Sequence, residues 1–234
     1  MFSINDKTIR DIANKTLPSF QNIDAATLNI GFGYIYYGLV RTLRPKNIVV
    51  IGSKAGFSPI MFGLGVKDNE GYGIGKIRCY HTETVCKEFG KVFFVDPSYS
   101  IDRNDPNHWY GIGTWDEPEK VKELWNSFDI GDVISHYKMT SEEFFNDVNC
   151  PQKIDMIYID GDHSYDGIKN DIELYSKKMD CNGIILAHDV DPQIRELIPD
   201  AGGDLAINDL SEDLYEKLRL PIFPGLVLIR KKIM

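Results

Sequence analysis

Paired cysteines, a long apolar run and a surplus of basic charge are all missing from this chain of 234 residues, and each absence removes a class of function. Its cysteines, Cys79, Cys86, Cys150 and Cys181, form no C-x-x-C pair and no finger spacing, which excludes a zinc-finger module and leaves reduced structural thiols. That usage fits a cytoplasmic protein. No apolar stretch approaches the roughly 20 residues of a bilayer span, and the polar start MFSINDKTIRD lacks the charged-then-apolar layout of a secretory signal. A membrane partner is not expected. Lysine and arginine number 26 against 35 aspartates and glutamates, a net charge of −9, and the basic groups at 87–91 and 230–232 are short and far apart. With no stripe to follow a phosphate backbone, nucleic acid is not expected as substrate.

What is present reads as an α/β protein. Strand-length apolar runs recur at 47–51, 91–95, 132–136, 154–159, 183–187 and 226–229, with helical patterns between several of them, as in βαβ units around a buried parallel sheet. Leu28, Phe32, Ile35, Leu39 and Leu43 share one helix face, as do Val121, Leu124, Trp125 and Phe128 behind Pro118, and Tyr165, Ile168, Ile172, Tyr175 and Met179. The length suits one domain over 1–234, with a helical segment at 1–45 and a core from 46. Residues 67–90 and 97–116 interrupt the alternation. The second interruption is loop-like yet carries His108, Trp109, Tyr110 and Trp115, a composition found in lids and substrate walls. Tyr34, Tyr36, Tyr37, His108, Trp109 and Trp115 are therefore candidate acceptor-pocket residues, each with core packing as the plainer alternative.

The stretch NIVVIGSKAGFSPIMFGLG reads as strand, glycine turn and helix. A dinucleotide fingerprint counted from Gly52 requires glycines at 54 and 57, where Lys54 and Phe57 stand, and a Walker loop is absent. Gly52 and Gly56 give G-x-x-x-G instead. The next strand, KVFFVDPS, ends in Asp96, whose carboxylate is placed to accept two hydrogen bonds from a ribose diol. In these residues the chain resembles the class I S-adenosylmethionine-dependent methyltransferases. The resemblance implies a Rossmann-like, doubly wound, mostly parallel seven-stranded sheet with helices on both faces. It implies that Gly52, Ser53 and Gly56 line the methionine and ribose, that Asp96 holds the ribose hydroxyls, and that MTSEEF, with Thr140 and Ser141, flanks the adenine. Two positions depart from the pattern: Val50 stands where an acidic residue is common, and Lys54 where a glycine is.

The apolar run MIYI ends in Asp160, Gly161, Asp162 and His163, and GIILAHDVD ends in His188 and Asp189. Ionisable groups gathered at one sheet edge cost desolvation and repulsion unless a cation, a proton or a substrate compensates. Asp162 and Ser164 are also candidate caps for the helix starting near Tyr165. From Ile154 to Asp191 the chain resembles more narrowly the small-molecule O-methyltransferases, particularly the metal-assisted catechol type and those that tailor macrolide sugars. That resemblance implies Asp160, His188 and Asp189 as metal ligands, His163 as general base, and Asp160 and Asp189 beside it in catalysis, with Asp160 also touching the cofactor. A cation that coordinates a hydroxyl lowers its pKa, and histidine is suited to take the proton. Oxygen ligands favour Mg²⁺; His188, where an acidic residue is usual, shifts the preference toward Mn²⁺ or Fe²⁺, or else leaves a histidine to act as base without metal.

The expected activity is therefore O-methylation of a small-molecule hydroxyl by S-adenosylmethionine, with Mg²⁺ or Mn²⁺ as a second cofactor. Sugar, phenol and carboxylate acceptors stay open, as do methylation at nitrogen and a homodimer, since many enzymes of this kind pair through segments outside the sheet. The competing expectation is a non-catalytic S-adenosylmethionine or nucleotide binder, favoured by Val50 and Lys54 and opposed by two histidines that binding alone does not require. A hydrolase lacks its G-x-S-x-G elbow.

Overall fold

The computed structural model describes residues 4, 6–16, 23–54, 56–71, 77–79, 82–84, 90–98 and 115–232. In chain order the elements are α1 (Asp6–Thr16), α2 (Ile23–Leu43), β1 (Asn47–Ile51), α3 (Phe57–Gly71), β2 (Ile77–Cys79), β3 (Thr82–Thr84), β4 (Lys91–Val95), α4 (Pro118–Asn126), β5 (Ile134–Tyr137), α5 (Ser141–Asn146), β6 (Met156–Ile159), α6 (Tyr165–Tyr175), β7 (Ile184–His188), α7 (Gly203–Asp209), β8 (Tyr215–Leu220) and β9 (Leu226–Lys231). Seven strands form one sheet in the order β5-β4-β1-β6-β7-β9-β8, with β2 and β3 paired separately. β1, β6 and β7 run parallel, and β9 and β8 close that side antiparallel. The mostly parallel, Rossmann-like sheet is the one expected. Among the described residues, no helix is long and apolar enough to cross a membrane.

The chain gathers into two compact units. One comprises Met1–Lys46, Ala55–Val92 and Pro118–Ser135; the other comprises Asn47–Lys54, Phe93–Glu117 and His136–Met234. In the first, α2 packs on α3: Tyr36 stacks on Phe62 with ring centroids 5.2 Å apart, and Arg41 donates to Asn69 Oδ1 at 2.7 Å. Tyr36 and Tyr37 are buried, and Tyr37 donates its hydroxyl to Asp68, so these two candidate pocket aromatics serve that core. Tyr34 is exposed.

In the second unit the two-residue period of a strand sorts the side chains. Val49 and Ile51 of β1, Ile157 and Ile159 of β6, Ile185 and Ala187 of β7, and Val227 and Ile229 of β9 form one cluster with Phe144, Ile168, Ile172, Tyr175, Ala206 and Ile207 from α5, α6 and α7, and with Leu210 just after α7. Strand register places Ile157 between Val49 and Ile185, and Ile159 between Ile51 and Ala187. The alternate positions, Tyr158 and then Asp160, and Leu186 and then His188, turn to the opposite face.

A buried carboxyl sits inside that helix layer. Asp171 on α6 is buried; burial pushes its carboxyl up to about 6, helped by the charge of Asp162 and opposed by a hydrogen bond from Ser141. The folded protein thus keeps a proton that the unfolded chain releases near pH 4. Stability is undiminished below that pH and falls by about 3 kcal/mol as pH rises through 6. Asp171→Asn should therefore raise the melting temperature by several degrees at pH 8 and scarcely at pH 4.5. An equal shift at both values would show that the carboxyl titrates normally.

Candidate active site

Asp160 and His188 become neighbours through strand pairing. Ile159 faces Ala187 in the parallel β6–β7 ladder, so the next residue on each strand continues the row. β7 runs to His188, one residue beyond the sequence reading, which fixes this imidazole in the sheet. His188 Nδ1 lies 3.3 Å from Asp160 Oδ1 and 3.1 Å from Asp189 Oδ1. His163 arrives from the β6–α6 loop, its carbonyl accepting a hydrogen bond from Gly202 N at 2.8 Å. Its Nε2 lies 3.4 Å from Asp160 Oδ1 and 3.3 Å from Asp189 Oδ2. Two carboxylates and two imidazoles thus alternate around one point.

Further residues fix the orientation of these four. Tyr158, two positions before Asp160 on the same face, donates to Asp160 Oδ2 at 3.1 Å, leaving Oδ1 to meet both rings. Asp189 adopts a left-handed backbone, φ 55°, and its N–H donates to Gly225 O at 3.1 Å while Asp191 N–H donates to Pro224 O at 3.0 Å. A Cβ at Gly225, φ +102°, would come 2.4 Å from Asp191 N, so only glycine lets β9 approach this loop so closely. Ser164 caps α6 by accepting from Gly167 N at 3.0 Å. Asp162 accepts from Ser164 N at 2.9 Å, which gives it a structural role in the turn.

The electrostatics follow from burial and pairing. Burial alone would raise the Asp160 carboxyl, but the charges of His188 and His163 close beside it outweigh that and hold Asp160 well below the usual carboxylate range. Burial would lower His188, yet Asp160 and Asp189 push it up to about 10. His163 also rises: burial opposes the shift, and Asp160 and Asp189 overcome it. Oxygens of Asp160 and Asp189 and a ring nitrogen of His163 all lie within 4.8 Å of one another, close enough to share one cation. This grouping takes in His163 beside Asp160 and Asp189, two of the expected ligands, and does not include His188.

The glycine turn lies against the same loop. Gly52 has φ +72°, and a Cβ there would stand 2.4 Å from Asp160 O and 2.6 Å from Gly161 Cα. Ser53 N–H donates to Asp96 Oδ2 at 3.2 Å, and Ser98 N–H to Asp96 Oδ1 at 2.8 Å. Burial raises the Asp96 carboxyl, these two N–H groups offset part of the rise, and the charge of Asp160 adds to it. Trp115 is buried, donating from Nε1 to Ser53 O at 3.1 Å, with its ring edge-on to Phe94 at 4.8 Å. It braces the turn. His136 stacks on Phe94 at 5.0 Å and reaches Asp96 O with Nε2 at 3.1 Å.

Gly56 takes φ +90° ahead of α3, its carbonyl accepting from Ile60 N at 3.2 Å. Thr140 and Glu143 form a reciprocal capping box on α5, and Ser141 accepts from the Tyr175 hydroxyl at its carbonyl, 2.7 Å. His108 and Trp109 lie outside the described residues. The roles of Tyr158, Trp115, His136 and Gly225 escaped the sequence reading. Only Tyr158 left a signal there: a phenol in an aliphatic strand, two residues before the carboxylate.

A seven-stranded sheet with a glycine turn after β1, a carboxylate after β4 and a polar cluster after β6 and β7 defines a class I methyltransferase. The family model for a methyltransferase domain matches residues 49–190, and the chain belongs to that family. Solved structures agree on the fold. A methyltransferase from Podospora anserina, PaMTH1, bound to S-adenosylhomocysteine, superposes with a TM-score of 0.64 at 18% identity, over 98% of this chain and 89% of its own. The O-methyltransferase TomG of Streptomyces achromogenes, involved in tomaymycin synthesis and solved with S-adenosylmethionine, gives 0.61 at 12% identity over 98% and 92%. An O-methyltransferase from Bacillus cereus, with S-adenosylhomocysteine, gives 0.59 at 14% identity over 99% and 94%. Among curated proteins no sequence relative matches.

Proposed function

We propose that this protein is a cytoplasmic enzyme that transfers the methyl group of S-adenosylmethionine to a hydroxyl of a small molecule, a sugar or a secondary metabolite, with a divalent cation assisting. The observation that carries the reading is the convergence of Asp160, His163, His188 and Asp189 beside the Gly52 turn and Asp96. Structural relatives solved with S-adenosylmethionine or its demethylated product support the cofactor. So does the pairing of Asp96 with Asp160, two carboxylates that feel each other's charge. A sulfonium with an ammonium nearby relieves that repulsion.

In this reading Asp96 accepts from the ribose diol. Its oxygens already take the Ser53 and Ser98 N–H groups, and an ionised carboxylate with about four acceptor positions retains two. Gly52 and Ser53 offer backbone to the cofactor, Asp160 faces its amino end, and Thr140 and Ser141 bound its base through the start of α5. The donor set fits a divalent cation: separations of 3.1–3.4 Å between imidazole nitrogens and carboxylate oxygens are those of ligands about 2.1 Å from a shared ion. Asp160, His163 and Asp189 would hold it, with His188 against both carboxylates. Bound there, it would lower the pKa of the acceptor hydroxyl and orient it. A second reading dispenses with metal and has His163 take the proton. It is favoured by the two carboxylates beside the ring, which stabilise the imidazolium once formed.

Calorimetric titration with S-adenosylmethionine, S-adenosylhomocysteine and NAD tests the cofactor. Both sulfur nucleosides should bind in the micromolar range and NAD should not, and Asp96→Ala should weaken them by about tenfold or more, as loss of charge-assisted hydrogen bonds requires. Unaltered affinity in Asp96→Ala withdraws its ribose role. If neither nucleoside binds the native chain, the proposal fails.

A further inference from the structure

We infer that the cation this site selects is a first-row transition ion, Mn²⁺ or Fe²⁺, in preference to Mg²⁺. The inference rests on the reading above that the cluster takes a cation. It goes further in assigning both histidines, one from a loop and one from a strand end, to the choice of ion.

Three observations support it. First, His163 Nε2 is sealed from solvent and makes no hydrogen bond, although it points between Asp160 and Asp189 at 3.4 and 3.3 Å. A buried ring nitrogen aimed at two carboxylate oxygens without bonding either has the placement of a ligand. Second, His188, only 7% exposed, brings Nδ1 to 3.3 and 3.1 Å from the same two carboxylates, so a second ring nitrogen stands beside the oxygens that would hold the ion. Third, Asp160 Oδ2 is occupied by the Tyr158 hydroxyl, which fixes the direction of Oδ1 as the hydrogen-bond partners of metal ligands do.

Mg²⁺ requires near-octahedral oxygen ligation, keeps its waters and gains little from imidazole. Mn²⁺ and Fe²⁺ accept mixed nitrogen and oxygen sets. Two carboxylates balance the charge of one divalent ion, and the imidazoles, which must give up their protons to meet it, set the selectivity. Oxygen ligands alone would serve Mg²⁺.

The test is direct binding of Mn²⁺ and of Mg²⁺ to the full, metal-stripped chain, by loss of the free Mn²⁺ resonance and by competition. Pulsed paramagnetic resonance then looks for ¹⁴N coupling on bound Mn²⁺. One equivalent of Mn²⁺ should bind at least about tenfold more tightly than Mg²⁺, with imidazole coupling that weakens in His163→Asn and in His188→Asn. S-adenosylmethionine titration of the same samples verifies that each variant is folded, and the coupling in the native chain decides the matter even if a variant is not. Equal affinity for Mg²⁺, or bound Mn²⁺ with no nitrogen coupling, overturns the inference and leaves metal assistance standing. Binding of neither ion overturns both, and the nucleoside titration then shows whether methyl transfer itself survives.

Discussion

Replacing Asp160 by asparagine should lower methyl transfer by about a thousandfold or more while leaving the chain folded. The carboxylate is the point on which the site turns. Its Oδ1 meets His188 Nδ1 and His163 Nε2, its Oδ2 holds the Tyr158 hydroxyl, and its charge is sensed at Asp96. Asparagine keeps the shape and the acceptor for Tyr158 but removes the charge that both imidazoles lean on. Asp160→Ala goes further, leaving a buried phenol without its acceptor and two buried rings against Asp189 alone. Breaking a buried ionic cluster in this way costs about 3–5 kcal/mol. Initial rates at saturating cofactor and acceptor, with denaturant melts of both variants, separate the two effects. An asparagine variant that keeps more than a tenth of native turnover would remove Asp160 from the chemistry.

The second large effect is expected at Gly52. A methyl group there collides with backbone, 2.4 Å from the Asp160 carbonyl and 2.6 Å from Gly161 Cα, at a φ of +72°. No flexible side chain can move aside. Left-handed strain and backbone displacement together cost about 2–4 kcal/mol, and the displacement falls on the loop that carries Asp160. Gly52→Ala should therefore lose about a hundredfold in S-adenosylmethionine affinity as well as stability. Gly161→Ala is the internal control: its Cβ would meet the Ile51 side chain at 3.2 Å, a contact that can yield. Thermal melts and cofactor titrations of the pair decide. Equal behaviour of the two variants would mean that the loop contact does not govern cofactor binding.

The sheet and the strand-end cluster were legible in the sequence for one physical reason. Buried parallel strands are written as aliphatic runs, and MIYI followed by Asp, or IILA followed by His, breaks that pattern where a sheet presents its ligand edge. β8 was not legible: YEKLRL lies at the sheet edge, most of its side chains reach solvent, and three of them are charged. Trp115 suggested a substrate wall because nothing in a sequence distinguishes an aromatic that lines a cavity from one whose indole N–H supports a neighbouring carbonyl. Asp162 and Ser164 were equivalent as caps until the turn geometry gave the cap to Ser164. The meeting of His163 with Asp189 depends on loops brought together by Gly202 and Gly225, and no local periodicity encodes that.

The hold of Pro224 and Gly225 on the Asp189 loop also bears on the order in which the protein becomes competent. Synthesis runs from the amino end, so Asp160, His163 and His188 emerge well before β9. Asp189 and Asp191 reach their hydrogen-bond acceptors, Gly225 O and Pro224 O, only once the turn into β9 exists, and β9 then pairs along the whole of β7. A chain that stops short of that turn carries Asp160, His163, His188 and Asp189 and yet lacks the backbone acceptor that seats Asp189. The polar cluster therefore reaches its full geometry only when β9 has joined the sheet.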